Sequence, residues 1–374
     1  MPKISVPRLA AWTLVFILTS ALPLAAQTGE TASPCPWPEA RQFDFWIGEW
    51  DVVNKGLTPG GWVETGRATN RVYAVVDGCA IVEHWRGTAW NRKTIGFSVR
   101  AYDPESAEWL LVLNWPAPNR PGFGVLDGKF KDGRGEFFTE PRGPEGQEVT
   151  QRYSFSEVEE SSFQWDAARS RDGENWQMYW VMEFTRRDPV RDIPLWNGPW
   201  NHANRERRCR QPEAAQLDFT LGGWQGVERR VDAEGNWQER PARVNVLPIL
   251  EGCAIVDFVE VGAEGEESYE RFGVYSWQPA AGNWAQWELD SPDPVLRNAT
   301  GTFEDGAIVF VTPGEEDELR RVTWRRGEGE SLVREDERSS DGGETWQKVT
   351  VLELEPIFLW GRSALAEKPP GGGS

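Results

Sequence analysis

Phe43-Asp44-Phe45-Trp46-Ile47-Gly48-Glu49-Trp50 and Leu217-Asp218-Phe219-Thr220-Leu221-Gly222-Gly223-Trp224 are two versions of one stretch, and their relation decides how the whole chain is read. Each lies eight residues after a cysteine, Cys35 and Cys209. Further on, Asp77-Gly78-Cys79-Ala80-Ile81-Val82-Glu83 matches Glu251-Gly252-Cys253-Ala254-Ile255-Val256-Asp257 at the same offset of 174 positions. The match continues through Gly128-Lys129-Phe130-Lys131-Asp132-Gly133 against Gly301-Thr302-Phe303-Glu304-Asp305-Gly306. A shared offset at separate anchors marks an internal duplication, and each copy is one domain in length.

Within a copy the apolar period is two. Trp109, Leu111, Leu113 and Trp115 alternate with Leu110, Val112 and Asn114, while Asp103-Pro104, Asp127-Gly128, Asp132-Gly133 and Asp172-Gly173 mark turns. No segment shows an amphipathic helix longer than a turn or two. About ten short antiparallel strands per copy must stack as a sandwich or close on themselves.

The first copy's opening, from Phe43 to Gly48-Glu49-Trp50-Asp51-Val52, resembles an exported bacterial domain-of-unknown-function family with a lipocalin-like barrel. Asp77-Gly78-Cys79, Tyr102-Asp103-Pro104 and Asp172-Gly173 with Trp176 carry the same resemblance. The second copy departs from it, with Thr220 for Trp46 and Gly223 for Glu49. The resemblance implies an all-β fold of two tandem up-and-down calycin barrels, with the first-strand Trp plugging one end. It implies little chemistry, because such barrels serve many ligands.

The expected organisation is a signal peptide at 1–26, barrels at 35–187 and 209–358, a linker at 188–208 and a disordered tail at 359–374. Lys3 and Arg8 ahead of the apolar run 9–22, then Ala25-Ala26, have the layout of a secretory leader, so a periplasmic or secreted protein is expected. The chain carries a formal charge of −19, and the leader takes two bases and no acid with it. Nucleic acid is therefore a poor partner, because its affinity rests on Lys and Arg displacing counterions. Stable membrane insertion after leader removal is not expected either.

Four cysteines in an exported chain suggest disulfides, with metal binding or free buried thiols as the alternatives. The duplication selects Cys35 with Cys79 and Cys209 with Cys253. Histidine is scarce: His84 has Phe258 as its counterpart, and haem ligation by it is set aside, so no cofactor or metal is expected. There is no H-E-x-x-H and no G-x-S-x-G, which leaves an enzyme as the weakest class. Ser339-Ser340-Asp341-Gly342-Gly343-Glu344-Thr345-Trp346 reads as a hairpin turn of Asp-box type with Trp346 packed beneath it.

The expected function is binding of a small, largely apolar molecule. The alternative is an interaction or assembly protein whose barrels are filled and whose outer surface meets another protein. Expected lining residues are Trp46, Glu83, Trp109, Leu111, Leu113, Trp115 and Arg152 in the first copy, and Asp257, Gln286 and Arg321 in the second. Glu83 with Arg152, and Asp257 with Arg321, are an acid and a base retained in both copies, suited to an ion pair or a ligand head group. If the Trp109 set faces inward, the first lumen is apolar. Its counterpart, Trp284, Gln286, Glu288 and Asp290, then makes the second lumen polar. Non-reducing peptide mapping should recover Cys35 joined to Cys79 and Cys209 joined to Cys253; cross-repeat pairs or four free thiols would overturn the duplication-based pairing.

Overall fold

The computed structural model describes residues 35–115, 122–145, 147–187, 209, 211–263, 268–291, 293–314 and 317–359. The expected leader, the linker and residues 360–374 of the tail lie outside them. The first repeat forms β1 (Gly48–Thr58), β2 (Gly61–Val75), β3 (Ala80–Ala89), β4 (Arg92–Asp103), β5 (Glu108–Asn114), β6 (Phe123–Lys131), β7 (Arg134–Phe138), β8 (Thr150–Ser156), β9 (Ser162–Ser170) and β10 (Gln177–Arg186). The second forms β11 (Gly222–Val231), β12 (Trp237–Ile249), β13 (Ala254–Val261), β14 (Tyr269–Gln278), β15 (Asn283–Asp290), β16 (Asp293–Glu304), β17 (Ala307–Pro313), β18 (Leu319–Arg326), β19 (Leu332–Ser339) and β20 (Gln347–Leu359).

Every strand pairs antiparallel with its sequence neighbours, and first pairs with last: Trp50 opposite Arg186, Trp224 opposite Pro356. Both sheets are thus closed up-and-down barrels of ten strands. The extra strands over a lipocalin's eight widen the barrel, and closure removes the unpaired edge. Tight hairpins set the register. Asp132-Gly133 has φ of 51° and 76° and Asp305-Gly306 has 50° and 79°, the paired positive values that a two-residue turn between twisted strands requires.

One end of each barrel is plugged by the segment before its first strand. Pro38–Arg41 and Asp44–Trp46 form 3-10 turns under the first barrel, and Pro212–Ala215 and Asp218–Thr220 repeat them under the second. The disulfides Cys35–Cys79 and Cys209–Cys253, each spanning 44 residues, tie these plugs to the turn that precedes β3 or β13. Phe43, fully buried, meets Trp109, Phe130 and Phe155 edge-on with centroids at 4.8, 4.9 and 5.1 Å. Trp50 Nε1 donates to the Trp46 carbonyl and Trp224 Nε1 to that of Thr220, both at 2.8 Å, so each G-x-W tryptophan latches its plug.

The two barrels share an apolar cluster built from the same positions of each. Ala80, Val82, Phe97 and Val99 of the first meet Ala254, Val256, Phe272 and Val274 of the second, with Val112 and Trp287 beside them. Asn114 Nδ2 donates to Ser276 Oγ across this interface at 3.1 Å, and the Asp77 amide donates to Glu270 at 3.0 Å. The preceding turns, Val76-Asp77 and Leu250-Glu251, hold non-glycine residues at φ between 53° and 55°, and Val76 and Leu250 are buried in the cluster. That backbone costs on the order of 1 kcal/mol per residue and persists because the packing around it fixes it. Separated from its neighbour, either repeat would present this face to water. Residues 27–187 expressed alone are therefore expected to self-associate through it, as read by sedimentation; a well-folded monomer would contradict this.

Candidate functional site

Strand alternation sends successive side chains to opposite faces, and packing identifies which face is inside. Trp109, Leu111 and Leu113 join the interior cluster of the first barrel with Trp46, Trp50 and Phe155. Leu110 and Val112 lie instead in the cluster between the barrels. In the second barrel Trp284 packs inside, Gln286 and Glu288 are buried on the same face, and Trp287 and Leu289 belong to the shared interface.

At the closed end of the first barrel, Trp109 Nε1 donates to Gln42 Oε1 at 3.0 Å, and Trp284 Nε1 repeats the bond to Gln216 at 2.9 Å. Trp46 is buried beneath the Arg100 guanidinium, which lies 4.0 Å from its ring centroid. Arg100 also reaches Glu83 at 3.2 Å, and Asn70 Nδ2 donates to Glu83 at 2.8 Å. Burial raises the Glu83 carboxyl pKa against the opposing pull of Arg100. Burial also brings the Arg100 guanidinium down to about 10. Above this layer the wall is aromatic. Tyr153 meets Trp165 at 4.8 Å, Trp165 meets Trp180 at 5.2 Å, Trp180 meets Trp115 at 6.0 Å and Trp115 meets Trp85 at 5.2 Å. Trp115, Trp180 and Tyr153 are only partly buried.

The second barrel replaces that ladder with charge. Glu288 and Asp336 are cross-linked by Arg320, at 2.7 Å to each, and by Arg334, at 2.9 and 3.2 Å. Tyr275 donates to Asp257 Oδ2 at 2.8 Å, and Gln286 Nε2 donates to Glu288 at 2.7 Å. Burial raises the Asp257 pKa, opposed by Arg271 and by the Tyr275 hydrogen bond. For Arg271 burial disfavours the charge, but Asp257, Glu288 and Tyr269 outweigh it and hold the guanidinium protonated. A cavity of about 550 Å³ opens above this layer, at the end opposite the plug, with Tyr269, Arg271, Arg320 and Asp336 among its walls.

Not every expected lining residue faces a lumen. Arg152 pairs with Glu136 at 3.4 Å and stacks over Trp176 at 4.9 Å; Arg321 pairs with Glu337 at 2.7 Å and stacks over Trp346 at 4.1 Å. Their neighbours Tyr153 and Phe155, and Val322 and Trp324, belong to the interior, so alternation places both arginines outside, clamping the Asp-box hairpins. In those hairpins Trp176 Nε1 and Trp346 Nε1 donate to Gly173 and Gly343 at 3.0 Å. Neither arginine is brought to its repeat's buried acid. His84 also faces outward, buried against Phe97 and 2.9 Å from the Tyr73 hydroxyl, and burial lowers its pKa to about 3. The interior cations Arg100, Arg271, Arg320 and Arg334 escaped the sequence reading. For Arg100 and Arg271 the signal was the inward parity of Gly96-x-Ser98-x-Arg100 and Tyr269-x-Arg271-x-Gly273-x-Tyr275 opposite the Trp109 and Trp284 sets.

No family model matches the chain, and no curated protein matches it. Among solved structures it is similar to a protein of unknown function from the DUF3598 family of Nostoc punctiforme, at 12% identity over 86% of this chain and 100% of that one, with a TM-score of 0.23. It is also similar to an S-type phycobiliprotein lyase from Guillardia theta, at 11% identity over 37% of this chain and 89% of that one, with a TM-score of 0.28. At such scores neither carries a functional argument.

Asp257 yields a test of the charged interior. Its carboxyl keeps its proton to higher pH folded than unfolded, so its stabilising contribution is complete below about pH 4 and is lost as pH rises through the raised folded value. Asp257→Asn cannot ionise and removes that loss. Its melting temperature relative to the parent should therefore improve steadily from acid to neutral pH. An equal deficit at both pH values would contradict the raised pKa.

Proposed function

We propose that the protein is an exported small-molecule binding protein whose first barrel takes a flat, largely apolar guest against the Trp85, Trp115, Trp180 and Trp165 ladder. The observation that carries this reading is that Trp115 and Trp180, in the middle of the ladder, are only partly buried while Trp85 and Trp165 back them from the core, because apolar rings left accessible on an inner wall are the usual surface for such a ligand. Export is supported by the leader-like first 26 residues and by two disulfides. Among the described residues no helix is long and apolar enough to cross a membrane. The reading as an assembly protein is weakened by the use already made of the outer apolar face, which packs barrel on barrel.

Titrating the full chain with phenylnaphthylamine, an uncharged apolar fluorophore, should quench tryptophan emission saturably. Trp115→Ala should weaken binding about tenfold, a loss of roughly 1.4 kcal/mol. Trp62→Ala, at an exposed hairpin position, should leave it unchanged. Undiminished binding by Trp115→Ala, or none by the parent, would rule the first barrel out.

A further inference from the structure

Five arginines of the second barrel, Arg230, Arg271, Arg297, Arg320 and Arg338, come from five strands and line a single 550 Å³ cavity at its open end. Most have something to do. Arg320 bridges Glu288 and Asp336, Arg297 pairs with Asp293, and Arg230 lies over the Tyr269 ring. Arg338 stands directly across from Arg320 in the β18 to β19 ladder, a like-charge pair that destabilises a sheet unless an anion lies nearby.

Arg271 is different. It is only 4% exposed, yet its Nε and Nη2 have no hydrogen-bond partner among the described residues. Those two atoms form one edge of the guanidinium, the edge that grips a carboxylate through two parallel bonds. Leaving charged donors buried and unmet is costly, and of the five arginines around the cavity Arg271 is the one so placed among the described residues. The first barrel has Gly96 at this position, where an added Cβ would lie 2.6 Å from the Trp115 ring. The second barrel has exchanged that glycine and tryptophan for Arg271 and Asp290, which face each other in register.

We propose that the open half of the second barrel binds a small carboxylate that also bears hydroxyl or ammonium donors, with Arg271 holding the carboxylate. The donors are required by the rest of the wall. Asp232, Asp290, Asp293 and Asp336 line the same cavity, and they repel a dianion such as phosphate but accept hydrogen bonds from a polyhydroxy or amino acid. The cavity volume falls within the range typical of small-ligand sites. This site is separate from the aromatic wall of the first barrel and takes a different chemical class.

Isothermal titration of the full chain with D-glucuronate, D-glucose, hexanoate and inorganic phosphate tests the proposal. Glucuronate should bind at least about tenfold more tightly than glucose, which lacks the carboxylate, and than hexanoate, which lacks the donors. Arg271→Met should lower glucuronate affinity by about tenfold or more, and Arg271→Lys should fall between, because it keeps the charge and loses the fork. Arg271→Met also removes a cation that offsets Asp257 and Glu288 and is expected to melt lower than the parent, so Arg271→Lys, which keeps the charge and loses the fork, is the variant that separates lost binding from lost folding. Absence of glucuronate binding, tighter binding of phosphate, or full binding by a folded Arg271→Met would overturn it. Failure of the first-barrel reading would appear separately, in phenylnaphthylamine binding and Trp115→Ala.

Discussion

Closure of each sheet on itself is the constraint from which the other features follow. Once β1 pairs with β10 and β11 with β20, every strand has two neighbours, and the backbone is satisfied without help from side chains. Each residue then has only one structural choice, inward or outward, and its strand parity makes that choice. Residues before the first strand are left to fill one open end, and the disulfides hold them there. The other end stays free to differ between copies.

The outward choice matters as much as the inward one. Val82, Phe97, Val99 and Val112 would be surface errors on a solitary barrel, yet here they are almost wholly buried against their counterparts. The contact is isologous in kind, the same patch of each repeat meeting the other, as in a two-fold homodimer whose subunits have become one chain. Because the interface uses β3, β4 and β5 and their equivalents, the inner faces of the same strands are held rigidly. That rigidity lets the interiors diverge in chemistry while the frame stays fixed.

The divergence is large. The first interior is closed by Phe43, Trp46 and Phe155 around the buried ion pair of Arg100 with Glu83. The second gives up apolar volume, with Thr220 in place of Trp46 and Gln286 and Glu288 in place of Leu111 and Leu113, and carries several buried charges instead. Buried ion pairs rarely add stability over apolar packing, so a ring such as Glu288, Arg320, Asp336 and Arg334 points to a requirement other than holding the barrel together. A water-filled or ligand-filled polar lumen is such a requirement.

Duplication, cysteine pairing, turn positions and the period of two were all legible in the sequence, because each depends on local spacing or on comparing the chain with itself. The pairing of Cys35 with Cys79 needed only the offset; the hairpin turns needed only Asp-Gly. The sequence also showed that Gln286 and Glu288 stand where Leu111 and Leu113 stand. It left the inward face open, because Trp109, Leu111 and Leu113 alternate with Leu110 and Val112, and both sets are apolar. The tertiary structure made that decision, and the physical reason is the second barrel: its contact buries the outer face too, which erases the contrast between wet and dry sides. His84, buried against Phe97 beside that contact, was hidden in the same way. Arg152 and Arg321 lie away from it, and only the packing of Trp176 and Trp346 beneath them shows that they point outward. The unmet edge of Arg271 exists only once Tyr275 is bound to Asp257 and Arg320 and Arg334 to Glu288.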